Sequence, residues 1–271
     1  MKRLVMAFAI ASIVACNSEK KTEQTVDTTS EKSVSVADTI AYTYDSVKVY
    51  SKNPVSKDAG VTDTAKAVIT YPVFSDPRLN DLVLKKVIGT EDGEKTYATY
   101  KGYAEGFMAD FDNFQKENKD RIQTWFLDVN TSVLKQRVQL LSFYTVYVNY
   151  SGGAHPNSAF TYQNYNPVTL QKITLDSLIL PGAMSKLTAI GEKIFRTQEK
   201  LSANQSLKDG YFFENDTFKL NDNFTVTDQG LLFLYNPYEI KAYAFGITKL
   251  LIPFADLKDV AKPGSLLSVT P

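Results

Sequence analysis

The chain has 271 residues, with 30 basic and 30 acidic side chains that cancel to a formal net charge of zero, and a single cysteine. That balance removes the basic footprint of a nucleic-acid-binding protein, and one cysteine cannot form an internal disulfide. Sixteen tyrosines and sixteen phenylalanines against one tryptophan favour a substantial sheet, because aromatic side chains suit a pleated, half-buried surface.

Lys2 and Arg3 precede an apolar run from Leu4 to Ala15, shorter than the roughly 20 residues of a spanning helix. Residues 1–15 have the form of a secretory signal. The run ends IVAC, with small Ala15 before Cys16, which looks like a bacterial lipobox in which Cys16 becomes the acylated first residue. The plainer alternative is an ordinary secretory signal with a chance cysteine near its cut site. Stable anchoring takes more than one acyl chain, and bacterial lipoproteins carry several on one cysteine. The expectation is an extracytoplasmic protein lipid-anchored to a bacterial membrane, touching that membrane only through its lipid, with the leaflet left open. Residues 16–38, rich in Ser, Thr, Glu and Lys, cannot bury enough surface to offset their ordering entropy and read as a flexible tether.

IAYTYDSVKVY (40–50) and KAVITYPVF (66–74) alternate as strands. In SDPRLNDLVLKKVIG, Asp76 can cap a helix that starts at Pro77, and Gly89 can stop it by taking a positive φ. A longer helix is predicted from Thr96 to Asn118, where Tyr100, Ala104, Phe107, Phe111 and Phe114 recur at spacings of three and four. That stripe can be imagined as a ligand-stacking face, but it reads as the face that packs on the sheet. Period two returns at Ile122. Asn130-Thr131-Ser132 suits a turn, and SVLKQRVQLLSFYTVYVNY then makes a long, central strand ending at Tyr150.

That strand runs into SGGAHPNS, which holds the only histidine. Gly152 and Gly153 free the backbone, and Pro156 pushes His155 towards extended angles, with Asn157 beside it. Three readings stand. Ser151 or Ser158 activated by His155 would need a third, orienting group, and neither lies in a G-x-S-x-G elbow. Zinc would need further His or Cys ligands. A calcium site of carboxylates stays open, although no D-x-D-x-D-G loop occurs and Asp110 with Asp112 reads as a solvated helix face. The third reading is a structural turn whose side chains also meet a partner.

A strand AFTYQNYN follows, closed at Asn166-Pro167. Ile173 and Leu175 read as a brief strand, and DSLI as a helical turn. The second principal helix is predicted over Ala183–Leu201, with Met184, Leu187, Ile190, Ile194 and Leu201 facing inward. NFTVTDQGLLFLYN reads as a hairpin around Asp228-Gln229-Gly230, and ITKLLIPF as a strand that Pro253 confines to an edge. Between them lies YNPYEIKAYAFG (235–246), a second candidate segment through Tyr235, Tyr238, Glu239 and Tyr243. Glu239 among aromatics could be a buried acid with a raised pKa, or could pair with a base or cap a turn. Taken together the elements argue α+β: a largely antiparallel sheet with two principal helices packed on it, in two intimately fused lobes, 39–150 and 151–262.

The strand ending in GGAHPN, then ITLDSLI, then FTVTDQGLLFLYNPYEIKAYAFG and LLIPFADL resemble a bacterial extracytoplasmic domain of unknown function. That domain is known as the C-terminal part of the lysozyme-sensing anti-sigma factor. The upstream ITYPVF strand and aromatic helix resemble a companion module that also fronts a secreted peptidoglycan deacetylase. The resemblance implies an envelope-facing module, with the histidine loop part of its shared fold. The sigma-binding segment, the transmembrane helix and the deacetylase domain have no counterpart in the expected layout. The expected function is a lipid-anchored, non-catalytic binding domain, without cofactor or metal, for a secreted muramidase (lysozyme) or a cell-wall glycan. One alternative is a hydrolase of envelope polysaccharide or peptidoglycan, with His155 and Glu239 as acid and base. Another is a structural lipoprotein of an envelope complex.

Overall fold

Two sheets carry the fold, and most of their strands fall where period-two runs place them. The computed structural model describes residues 40–56, 62–89, 97–121 and 123–268. The larger sheet has the order β1 (Tyr42–Tyr50), β4 (Lys66–Phe74), β5 (Phe126–Arg137), β6 (Leu140–Tyr150), β7 (Asn157–Tyr165). A short ribbon of β2 (Val55–Ser56) and β3 (Thr62–Asp63) joins β1 to β4. Neighbours in the larger sheet are antiparallel except β4 and β5. A parallel pair needs a long crossover, which α1 (Pro77–Ile88) and α2 (Tyr100–Glu117) supply. The smaller sheet runs β10 (Thr248–Pro253), β9 (Gly230–Tyr235), β8 (Phe224–Val226), all antiparallel. Between β7 and β8 come α3 (Leu175–Leu178) and α4 (Met184–Gln198), and α5 (Phe254–Leu257) follows β10. The largely antiparallel α+β fold stands as expected, but its sheet is divided into two. The larger one continues across residue 150, because β7 pairs with β6.

The helix ends follow local chemistry. Asp76 accepts a hydrogen bond from the Arg78 backbone N–H at 2.9 Å, with Pro77 at the first helical position. Gly89 does end α1, but at φ −67°, so left-handed geometry is not what it provides. A Cβ there would lie 2.4 Å from the Lys85 carbonyl oxygen, so the position needs the missing side chain. Thr99 caps α2 by accepting from the Gly102 N–H at 3.0 Å. Ala104, Met108 and Phe111 are buried against Ala67, Ile69, Leu127 and Val129 of β4 and β5. Phe107, Phe111 and Phe114 surround Trp125 at centroid distances of 5.9, 5.8 and 5.1 Å, so the aromatic stripe is core.

Four expectations need correction. Asn130-Thr131-Ser132 is not a turn: β5 runs straight through it, Thr131 and Thr145 hydroxyls meet across the strands at 2.9 Å, and the reversal comes at Val138-Gln139. Cross-strand pairing of β-branched side chains outweighs the turn propensity of Asn and Ser. The centre of the sheet is consequently β5, with β6 beside it. Ile173 and Leu175 form no strand, since Leu175 opens α3 behind a Thr174–Ser177 capping box. Leu187, Ile190, Ile194 and Leu201 face the core as expected, with Gly191 and Phe195 buried beside them, but Met184 is 36% exposed. Leu201 lies past the end of the helix, where Lys200 takes φ 58°. Gly191 permits the close packing, because a Cβ there would meet the Leu220 side chain at 3.0 Å.

A buried polar node joins the two sheets. Ser142 and Thr225 hydroxyls both reach Asn164 Oδ1, at 2.7 and 3.0 Å, while Asn164 Nδ2 donates to the Phe224 carbonyl at 2.6 Å. Side chains also satisfy the outer edge of β7. Asn236 Oδ1 accepts from the Phe160 N–H at 2.6 Å, and Asn223 Oδ1 accepts from the Tyr162 N–H at 2.7 Å. An edge strand whose donors are occupied no longer templates another chain. At the other end, Lys135 and Arg137 beside the β5–β6 reversal both pair with Asp228 of the β8–β9 hairpin. The expected signal, Cys16 and the tether to residue 38 lie outside the described residues. Among the described residues no helix is long and apolar enough to cross a membrane.

Candidate functional site

The turn between β6 and β7 is built from two left-handed glycines, Gly152 at φ 111° and Gly153 at φ 104°. Tyr150 Oη donates to the Gly153 carbonyl at 3.0 Å, and a Cβ on Gly152 would lie 2.9 Å from Gln123 Nε2. This shape delivers His155 to the segment after β9. Its Nδ1 lies 2.9 Å from the Pro156 carbonyl oxygen, and its Nε2 lies 3.3 Å from Tyr238 Oη. A carbonyl only accepts, so Nδ1 carries the proton, and in the neutral ring Nε2 accepts from the Tyr238 hydroxyl. The imidazole also stacks on Tyr243, with centroids 4.0 Å apart and planes at 15°. Tyr238 and Tyr243 are themselves 5.4 Å apart.

The second wall rests on a strained turn. Tyr238 sits at φ 67°, a conformation that costs a non-glycine residue about 1–3 kcal/mol and that collects at functional positions. Glu239 closes this turn: its Oε2 accepts from the Asn236 N–H and its Oε1 from Asn221 Nδ2, both at 2.7 Å. Tyr243 lies on a single 3-10 turn, Tyr243–Phe245, ended by Gly246 at φ 64°. Tyr238 is 57% and Phe245 67% exposed. Lys241 is held by Glu199 at 2.9 Å and lies 5.8 Å from the Phe245 ring centroid.

Of the residues expected in the site, His155, Tyr238 and Tyr243 come together, with Gly152, Gly153 and Pro156 shaping the loop. Asn157 is exposed and pairs with Asn149 as the first residue of β7. Tyr235 is elsewhere: it is 1% exposed, its hydroxyl donates to the Lys219 carbonyl at 2.9 Å, and burial raises its pKa well above the phenol range. Glu239 is bound into its turn. It borders two clefts that His155 does not line, and both its carboxylate oxygens are taken by Asn236 and Asn221. Both imidazole nitrogens are engaged, by Pro156 and Tyr238, with neither Ser151 nor Ser158 as partner. Among the described residues no three His, Cys, Asp or Glu side chains gather as a metal-binding group. Asp112, read as solvated, accepts from Ser51 Oγ at 2.8 Å and Asn53 Nδ2 at 3.1 Å.

Phe245 was not among the expected site residues, although the glycine directly after YAF was a signal for a turn that exposes it. A second cleft, of about 930 Å³, lies on the other side of the 236–240 turn and is lined in part by Phe212, Asn215, Asp222 and Glu239.

Comparison with known proteins finds two family matches along the chain. Residues 59–158 match the family described as Deacetylase PdaC, and residues 176–255 match the one described as a protein of unknown function, DUF3298. Both domains are therefore present. A crystal structure of a DUF3298 family member from Bacteroides fragilis superposes with a TM-score of 0.66 at 24% identity, covering 85% of this chain and 97% of that one. A DUF3298 family protein from Pseudomonas aeruginosa gives 0.64 at 17% identity, covering 83% and 96%. At these identities the likeness is one of fold. No curated protein is significantly similar to the chain.

Proposed function

We propose, from a chain that carries a DUF3298 domain behind a PdaC-type domain, an extracytoplasmic binding module. In this reading lipid on Cys16 holds the body at the bacterial envelope. The His155–Tyr238–Tyr243 surface takes a protein partner, a secreted lysozyme-type muramidase.

The observation that supports this is a convergence. His155 and Tyr238 lie 83 residues apart in sequence, yet they share a hydrogen bond, and a third ring stacks beneath the imidazole. Two left-handed glycines and one left-handed tyrosine are spent on the arrangement. It leaves Tyr238 and Phe245 largely in solvent. Fixed aromatic rings of this kind are the side chains that dominate binding hot spots, since they bury much area for little lost entropy. His155 and Glu239, the acid and base of the hydrolase alternative, are each engaged elsewhere, the imidazole by Pro156 and Tyr238 and the carboxylate by the turn it closes.

The test is a pull-down with the intact, detergent-solubilised chain against a secreted muramidase and, separately, against peptidoglycan fragments. Capture of the muramidase by the wild-type chain and its loss on Tyr238→Ala support the reading. Capture of neither removes it, and capture of fragments alone replaces the protein partner with a glycan.

A further inference from the structure

We infer that the cleft under Phe212 is a saccharide-binding site, distinct from the His155 surface, that takes a neutral pyranose oligosaccharide. It gives the glycan reading an address of its own, so either site can fail without the other.

The loop that builds the cleft is unusual. Residues 199–223 connect α4 to β8 with one 3-10 turn, Glu214–Asp216, as their only regular structure. Unstructured connections beyond roughly 12–15 residues are uncommon and tend to be functional. This one is pinned at many points. Asp216 accepts from the Leu207 and Lys208 N–H groups and from Ser206 Oγ. Tyr211 Oη donates to Glu199 at 3.0 Å. Phe213 and Phe218 pack on Phe195 at 5.6 and 5.2 Å.

Against that anchorage, Phe212 stands out. Its N–H donates to the Ile240 carbonyl at 3.0 Å, which fixes the backbone, while its side chain lines the cleft and the residue is 53% exposed. A ring that could have joined the aromatic core one residue away is instead held out over a cleft of about 930 Å³, within the size range of small-ligand sites. The adjacent Asn215 and Asp216 are both left-handed, at φ 52° and 60°. Asn215 lines the same cleft.

Hydrogen-bonding capacity around the cleft is unspent. Among the described residues, the side chains of Glu214, Asn215, Lys219 and Asp222 make no hydrogen bond or ion pair. Asn221 and Glu239, at the inner edge, are consumed by each other and by backbone. The ligand that fits must have an apolar face for the Phe212 ring and many hydroxyls for carboxylates, an amide and an ammonium group. Carboxylates outnumber the one lysine, which disfavours an anion. An acyl chain would strip water from these charged groups without pairing them. A pyranose ring offers axial C–H bonds to the aromatic face and equatorial hydroxyls to the rim.

The experiment is isothermal titration of the intact, detergent-solubilised chain with N,N′,N″-triacetylchitotriose and, separately, with maltotriose. The expected result is saturable binding of at least one trisaccharide. It should weaken about tenfold or more on Phe212→Ala, several-fold on Asn215→Ala, and not at all on His155→Ala. Phe212 and Asn215 are exposed, so both variants should fold, and unchanged far-ultraviolet circular dichroism checks this. Absence of heat with both trisaccharides at millimolar concentration overturns the inference. So does binding that survives Phe212→Ala and Asn215→Ala unchanged.

Discussion

The imidazole of His155 lies flat on the ring of Tyr243, 4.0 Å away at 15°, and this stack fastens the β6–β7 turn to the segment after β9. A stacked aromatic pair contributes about 0.5–1.5 kcal/mol beyond the area it buries. The loop therefore keeps its shape through side chains from a distant part of the chain.

Removing the stack should loosen the loop more than the fold. Tyr243→Ala is expected to lower unfolding free energy by only about 1 kcal/mol while accelerating amide exchange at residues 151–155. Hydrogen-exchange mass spectrometry reads both quantities. Unaltered exchange in this loop would show that the glycine turn holds itself.

Gly230 and Gly153 separate two kinds of glycine. Both have positive φ, at 152° and 104°. A Cβ at Gly230 would come within 2.1 Å of the Ile252 carbonyl oxygen, whereas one at Gly153 meets nothing within 4 Å. Gly153→Ala should cost about 1–2 kcal/mol through the backbone alone. Gly230→Ala adds a clash with the backbone of the edge strand β10 and should cost clearly more, about 3 kcal/mol or above. Urea denaturation of the two variants gives the comparison, and equal losses would contradict it.

The node at Asn164 is the sharpest stability test of how the sheets are joined. Asn164→Ala removes the acceptor shared by the buried Ser142 and Thr225 hydroxyls, which then keep only each other at 3.1 Å, and the donor to the Phe224 carbonyl. Leaving buried polar groups unpaired costs about 1–3 kcal/mol each before relaxation, so a loss of about 3 kcal/mol is expected from denaturant midpoints. Ser142→Ala, which leaves the amide its other partners, should cost about 1 kcal/mol.

Acid should weaken the loop contacts in a definite order of pH. The Ser206 hydroxyl and the Leu207 and Lys208 N–H groups hold the Asp216 carboxyl below the usual carboxylate range, and Lys135 and Arg137 do the same for Asp228. A carboxyl whose pKa is lowered by folding adds stability that is whole above its unfolded value, about pH 4. That stability disappears as pH falls through the lower folded value. Thermal melts should be flat in this respect from pH 7 to about 5 and fall below about 4. Asp216→Asn and Asp228→Asn should each reduce the fall. A decline that sets in well above about pH 5 would contradict this account.

Much of this fold was legible in period and punctuation. KAVITYPVF alternates because one face of β4 is covered by α2, and Asp76-Pro77 starts α1 with no help from tertiary contacts. The errors share one cause. Asn130 to Ser132 carry turn chemistry, yet β4 and β6 pair on either side of β5 there, and neighbours outweigh local preference. The α4 stripe was read through Leu187, Ile190 and Ile194 but missed Gly191, invisible to an apolar pattern, where Leu220 packs. At the site, the glycine pair announced the loop and YNPYEIKAYAFG its partner. The contact between them spans 83 residues and has no local signature. Glu239 looked like a candidate acid because its two hydrogen-bond partners, Asn221 and the Asn236 backbone, are defined only by the turn it closes.

The most direct test of the central claim is a binding isotherm for the intact chain and a secreted lysozyme-type muramidase, measured for wild type, Tyr238→Ala and Tyr243→Ala. Saturable binding that weakens tenfold or more in each variant, about 1.4 kcal/mol, is the predicted result. Wild-type binding too weak to saturate, or binding equally tight in all three proteins, would contradict the assignment of the His155–Tyr238–Tyr243 surface as the place where this module meets its partner.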